Sequence, residues 1–404
     1  MLPVKSPKKN IDWKEFLPAS FILFNSLTWF VLVLARYTET VSGAYSTIDA
    51  LFIFIIHYSG IAISAVAGAI VFPRSRKLSL SLWILLGAVM SSLLGTIADN
   101  NLPVNLLISF FLGVSFGMGL PSALAYFGDV TSVESRGFRG GLVWSVVGLG
   151  TLVLVVGTSS LSLAAVFVVS AVWRGVGLVA FLGTRKAVRI QPRSEAPGFL
   201  ALLRRRDVLL YLVPWVMFCL VNFTVGPMLE PILGEFFTLV QFIEFAVAAP
   251  FALVGGFLAD IVGRKRVVMT GFVVLGLGYA VLGVFSSVPF SWYVYTVLDG
   301  IAWGMFAAVF FMTLWGDLVG DQQKERPYLI GGLPYVLLGF LSILVEPYVS
   351  VIPLSTAFSL ASFFLFLAVI PLMYAPETLP EKRIKDIELK GYVEKAKKIK
   401  EKYA

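Results

Sequence analysis

Gly256-Phe257-Leu258-Ala259-Asp260-Ile261-Val262-Gly263-Arg264-Lys265-Arg266 is the stretch on which the fold turns. One apolar run, 236–259, ends inside it and another, 267–287, follows it. Gly256 has no side chain and permits close helix approach. Asp260 ends the first run where a carboxylate can meet a neighbouring helix N-terminus or a basic side chain. Gly263 supplies a tight turn. The three cations after it hold the loop on the cytoplasmic side of a membrane.

The rest of the chain extends that reading. Its 404 residues are 58% hydrophobic and 14% charged, with mean hydropathy +0.87. Soluble domains are nearer 45–50% apolar and about 25% charged, so a water-soluble globule and a disordered chain are both excluded. Runs long enough to span a bilayer, about 20 residues, occur at 17–36, 50–72, 78–98, 103–127, 140–159, 162–184, 208–229, 236–259, 267–287, 291–313, 328–349 and 351–374. They lack the strict alternation of barrel strands, and helices satisfy their own backbone in lipid. The expectation is an all-α membrane protein of twelve transmembrane helices.

Charge position supports the count. With twelve spans, 30 of the 32 Lys and Arg fall in loops and tails on one side, and the other two, Arg36 and Arg174, lie within spans. The opposite loops carry acids such as Glu39, Asp49, Asp99, Glu230 and Glu235. The positive-inside rule then puts both termini in the cytoplasm, and the cell membrane is the expected location. The net charge of +8 reports orientation rather than nucleic-acid binding. The first 16 residues are basic, but the apolar run after them is too long for a signal peptide.

The chain divides in two. Residues 1–184 hold six spans and the amino tail, 185–207 read as a cytoplasmic linker, 208–374 hold six more spans, and 375–404 form a basic tail. Phe199 to Leu203 read as a short surface helix before Arg204-Arg205-Arg206. At an offset of 188, Gly68, Arg76 and Lys77 fall on Gly256, Arg264 and Lys265, and Gly128-Asp129 on Gly316-Asp317. Three residues further, Glu134 through Leu142 aligns with Glu325 through Leu333. Parallel repeats of this kind predict two pseudo-symmetric six-helix bundles around a central cavity.

With these features the chain resembles the major facilitator superfamily. Gly256 to Lys265 looks like that family's loop motif G-x-L-A-D-x-x-G-R-K/R. The resemblance implies that Gly256, Asp260, Gly263 and Arg264 latch spans together and bias the outward-facing state. The first-half copy departs from the pattern, with Phe72 at the Asp position and Ser75 at the second Gly. Glu134-Ser135-Arg136-Gly137 resembles the family's E-x-R-G loop, adding Glu134 and Arg136 to the latch. Pro376-Glu377-Thr378 looks like the P-E-T motif of sugar and metabolite porters. Span 5 lacks the Gly-Pro motif of drug antiporters.

Ionisable groups inside spans are costly and default to function. His57, Glu244 and Asp299 each lie about 12 Å in from the outer end of a helix, and Arg174 is 12 residues into span 6. Tyr295, Asp299 and Trp303 share one helical face, as do Gln241 and Glu244. The resemblance places Asp299, Asn25 and Asn222 on cavity-lining spans. These nine residues are the candidates for substrate contact or proton coupling. Arg174 would favour an anionic substrate if it reached the cavity. Against those roles stand helix–helix packing and hydrogen bonding to a neighbouring backbone.

The expected function is secondary active transport of a small polar metabolite, of the sugar or organic-acid class, by alternating access, with protons as the coupling ion to test. The alternatives are a drug/proton antiporter and a transporter-like solute sensor that moves nothing. One His and one Cys (Cys219) argue against an enzyme, and no P-loop is present. No cofactor, metal or nucleic acid is expected. The expected partners are the solute and the bilayer, and the expected state is a monomer.

Overall fold

The computed structural model describes residues 13–96, 101–184, 194, 197–234, 236–345, 348 and 351–403. Twelve helices are long and apolar enough to cross a membrane: α1 Trp13–Ala44, α2 Thr47–Val71, α3 Arg76–Leu94, α4 Leu102–Val130, α5 Val133–Thr158, α6 Leu163–Leu182, α7 Arg206–Leu233, α8 Leu239–Ala259, α9 Arg264–Phe285, α10 Pro289–Asp317, α11 Glu325–Val345 and α12 Leu354–Tyr374. This is a multi-pass membrane protein. The amino tail, with Lys5, Lys8 and Lys9, residues 185–193 and 195–196 of the linker, and the loop acids Asp99 and Glu235 lie outside the described residues.

Several ends differ from the sequence reading. The polar residues after 36 continue α1 because Arg36 pairs with Glu39 at 2.8 Å and Thr40 hydrogen-bonds back to the Arg36 carbonyl. The three-residue spacing of the ion pair and the four-residue spacing of the back-bond are compatible with uninterrupted helix. Inside α10, Ala307–Phe311 widens into a π-turn, with the Thr313 hydroxyl donating to the Ala308 carbonyl at 2.6 Å. The linker helix forms over Phe199–Leu203, burying Leu202 and exposing Leu200. A tail helix runs over Glu381–Tyr403.

The first six spans pack mainly among themselves, as do the last six, and the halves meet through α5 on α8 and α2 on α11. Small residues make the first of these contacts close. A Cβ on Gly256 would collide with the Gly137 carbonyl, and one on Gly141 with the Ala252 carbonyl. Without a hydrophobic drive between helices in lipid, such backbone approach is how dispersion holds them together. Apolar side chains on the outer surface, such as Val153, Val179 and Val284, at 70%, 72% and 72% exposed, face where lipid would lie.

Candidate functional site

The basic ends of the helices build a closed gate. Arg76 at the start of α3 pairs with Asp129 at 2.9 Å, near the end of α4, and also with Glu325, at the start of α11 in the other half. Lys324 adds a second tie across the halves to Asp129, at 3.3 Å. In the second half Arg264 pairs with Asp317 at 3.1 Å and Asp260 at 2.9 Å. Arg136 on α5 reaches across to the same Asp317. Thus Arg76–Asp129 and Arg264–Asp317, related by the offset of 188, make the same bond in each half.

The motif residues take specific positions in this gate. Asp260 accepts the N–H groups of Gly137 at 2.9 Å and Phe138 at 2.7 Å, so its carboxylate sits on the N-terminal turn of α5. Burial pushes that carboxyl up to about 6, opposed by the nearby Arg264. Gly263, with φ +104, turns the chain into α9. The Glu377 carboxylate accepts the Arg264 N–H at 2.8 Å and the Lys265 N–H at 3.2 Å, capping α9. It also accepts the N–H groups of Thr378 and Leu379. Glu134 is exposed and in no ion pair among the described residues, whereas its repeat counterpart Glu325 is buried against Arg76. Phe72 replaces the first-half aspartate, and there the Arg76, Asp129, Lys324 and Glu325 network supplies the tie instead.

Above the gate, between the halves, lies a cavity of about 190 Å³. Its walls come from α1, α3, α4, α5, α8, α10 and α11 and are mostly apolar and aromatic: Trp29, Trp83, Trp144, Trp303, Phe311 and Tyr335 among them. The π-turn of α10 puts Ala307 and Phe311 on this wall. Among the described residues, Glu244 is the only ionisable lining residue apart from Tyr335. Of the nine candidates, Glu244 and Trp303 line the cavity.

The others lie elsewhere. Asp299 is buried behind Glu244, close enough for each carboxyl to feel the other's charge, with Tyr295 and Tyr279 in the same cluster. The Tyr295 hydroxyl donates to that of Tyr279 at 3.2 Å. Helices α8 and α10 nearly touch here, since a Cβ on Gly300 would stand 3.0 Å from the Glu244 carbonyl. No Lys or Arg pairs with either acid among the described residues. Gln241 is exposed, and Asn222 is half-buried away from the cavity lining. His57 is fully buried, with Nδ1 3.1 Å from the Ser109 carbonyl and its ring against Tyr37, Tyr58 and Phe116. Asn25 is also buried, donating to the Trp173 carbonyl at 2.7 Å.

Arg174 is wholly buried, its guanidinium 4.7 Å from the Trp29 ring and 4.4 Å from the Trp83 ring. One nitrogen donates to Ser26 Oγ at 2.5 Å and Asn25 Oδ1 at 3.2 Å. Nε and Nη2 have no acceptor. The two desolvated cation–π contacts, at about 2 kcal/mol each, and the hydrogen bonds to Ser26 and Asn25 are of the same order as the several kcal/mol that burying an ion costs. The sequence marked Arg174 as intramembrane, but the tryptophans that clasp it are 145 and 91 residues away and carry no local signal.

No family model matches the sequence, and no curated protein matches it. Solved structures do match its shape. The proton:xylose symporter XylE bound to 6-bromo-6-deoxy-D-glucose superposes with a TM-score of 0.67 at 14% identity, covering 90% of this chain and 96% of that one. The Escherichia coli fucose:proton symporter FucP, as a variant, gives 0.66 at 15%, covering 90% and 98%. With twelve spanning helices in two bundles around a central cavity, the chain has the fold of the major facilitator superfamily transporters.

Proposed function

We propose that this chain is a secondary transporter that carries a small polar organic solute, of the sugar or organic-acid class, together with protons. The basic face is the cytoplasmic one, the cell membrane is the location, and the two halves, 1–184 and 208–374, rock about the central cavity. The observation that carries this reading is the Glu244–Asp299 pair. Two carboxyl groups lie together inside the membrane without a paired cation among the described residues, and one of them opens onto the cavity. Uptake of a proton would cancel a buried charge, and its release would set an anion beside the solute. Support for solute–proton symport also comes from the two matched structures, which are described as sugar:proton symporters.

One observation favours a second reading, drug/proton antiport. Four tryptophans and a lone carboxylate suit a lipophilic cation.

The test is uptake into proteoliposomes, after a thermal-shift screen of sugars, carboxylates, amino acids and lipophilic cations. An imposed inward proton gradient is expected to drive accumulation of a sugar or carboxylate hit. Glu244→Gln with Asp299→Asn is expected to abolish accumulation while counterflow continues. Gradient-driven accumulation in the double variant would sink proton coupling through this pair. Hits confined to lipophilic cations would replace the first reading with the second.

A further inference from the structure

We infer that Arg174 sets the charge preference of the cavity: from behind the wall it makes the Ser26–Trp29–Trp83 surface electropositive, so that this side receives the anionic or electron-rich end of the solute. The inference rests on the cavity being the solute site, and it narrows the solute class to one with such an end.

The geometry is specific. Ser26, Trp29 and Trp83 all border the cavity on the side of the first half, each through a small part of its surface, at 3%, 1% and 1% exposed. All three touch the same guanidinium: Ser26 accepts its hydrogen bond, and the two indoles hold it between their faces. The cation is thus one side chain away from the solute space and wholly shut off from solvent. No carboxylate is paired with it among the described residues, and Nε and Nη2 lack acceptors, so its charge is not cancelled locally. In a water-poor interior an uncancelled unit charge acts strongly over the thickness of one ring. It also draws on the indole faces: the faces turned to Arg174 are already engaged by a cation, which weakens their attraction for a second cation in the cavity.

The opposite wall carries the complementary group. Glu244 lines the cavity from α8, in the second half. The cavity is therefore polarised from half to half, with a covered cation on one side and a titratable carboxyl on the other. A protonated Glu244 leaves the positive wall dominant and admits an anion or an acceptor-rich ring. An ionised Glu244 opposes that same solute. A packing role for Arg174 predicts none of this polarity.

Tryptophan emission reads the wall directly, with no need to know the solute. The full chain in detergent would be titrated with iodide, caesium and acrylamide. Trp29→Phe with Trp83→Phe identifies the quenched component that belongs to these two rings. In the wild-type chain the ratio of iodide to caesium quenching of that component is expected to be at least threefold above the ratio measured for free N-acetyltryptophanamide. Arg174→Gln is expected to bring the ratio of iodide to caesium quenching down to that of the remaining tryptophans. Arg174→Lys is expected to keep most of it. Acrylamide quenching should be the same in all three.

A wild-type ratio no higher than that of free N-acetyltryptophanamide would overturn the inference even if Arg174→Gln fails to fold. So would an unchanged ratio in a folded Arg174→Gln. Rings unreachable by acrylamide would overturn it as well, because the wall would then face no accessible cavity. A failure of proton-driven uptake with a preserved iodide preference would remove the coupling mechanism and leave the charge preference standing.

Discussion

Arg136 on α5 is ion-paired with Asp317 at the end of α10, and both side chains are almost fully buried, at 3% and 0% exposed. The tie joins the two halves at the basic face. Arg264 holds the same carboxylate from its own half, so Asp317 is the point where the within-half bond and the cross-half bond meet. On the opposite face, no ion pair joins the halves among the described residues. The polar closure is one-sided.

Asp317→Ala should therefore open the basic face. Removing one member of a buried ion pair costs about 3–5 kcal/mol, mostly because the partner is left buried and unpaired. In the proposed cycle, parting of the halves at this face returns Arg136 and Arg264 to water, so the cost falls on the closed arrangement. Even a third of it, about 1.4 kcal/mol, shifts the equilibrium roughly tenfold. Cys219 is the sole cysteine and is buried, so a Leu124→Cys thiol on the cavity wall can be followed alone. An impermeant thiol reagent applied at the basic face should label it about tenfold faster in the Asp317→Ala background. Equal rates would show that Asp317 does not hold the face closed.

Gly256→Val tests the other component of the gate, the backbone contact of α5 and α8. A Cβ at Gly256 has no space because the Gly137 carbonyl occupies it. Overpacking of this kind costs about 1–3 kcal/mol, again only where the helices meet. The same thiol should become more reactive from the basic face. Gly332→Ala, where a Cβ meets nothing within 4 Å, should leave the rate unchanged. Equal effects from the two substitutions would remove close packing as the cause.

Glu377 and Gly263 form one device. Glu377 caps α9 through the N–H groups of Arg264 and Lys265, and the turn that brings it there needs a positive φ at Gly263. Loss of a carboxylate cap costs about 1–2 kcal/mol, so Glu377→Ala should lower the unfolding temperature by a few degrees. Gly263→Ala should lower it further, since the added Cβ is both in a left-handed conformation and against the Glu377 carboxylate. In the double variant the clash is gone but the strain remains, so the two losses should not add. Additive losses would mean the two residues act separately.

Much of this architecture was legible because it rests on charge and length. Thirty cations on one side fix how many times the chain can cross, and the repeat of Arg76 and Asp129 at Arg264 and Asp317 anticipates that equivalent bonds exist. The sequence could not say that Phe72 would be bypassed. Glu325 and Lys324, far away in the chain, take over the tie through Arg76 and Asp129, and only packing reveals that. The cavity was half legible for the same reason. Glu244 and Trp303 sit on the wall, but helical spacing tells which residues share a face and not which way that face turns. His57 and Asn25 share the depth of the cavity and point into neighbouring helices. The π-turn at Ala307–Phe311 arises from an apolar run with no local marker.

Asp260 makes the latch pH-dependent, and the sign can be worked out. Its carboxyl is pushed by burial from 3.8 up to about 6 in the folded chain. Below about pH 4 it is protonated whether folded or not, and the full stability is present. Between about 4 and 6 the folded state holds the proton and the unfolded state does not, so stability falls as pH rises. Above about pH 7 both are ionised and the loss is complete, at about 3 kcal/mol in all for a shift of roughly two units. Asp260→Asn cannot titrate, and the poorer acceptor geometry of an amide toward Gly137 and Phe138 N–H groups adds an offset that does not vary with pH. The wild-type unfolding free energy, taken relative to Asp260→Asn in detergent, should therefore drop by about 2 kcal/mol from pH 4 to 6 and level off above about pH 7. The same linkage holds for opening of the gate, because the open arrangement lets water reach the carboxylate. Acidification through pH 6 should slow Leu124→Cys labelling from the basic face in the wild-type background and leave it unaffected in Asp260→Asn, once rates are corrected for thiolate fraction. A stability difference that is flat with pH would mean that Asp260 is as well solvated in the latch as out of it.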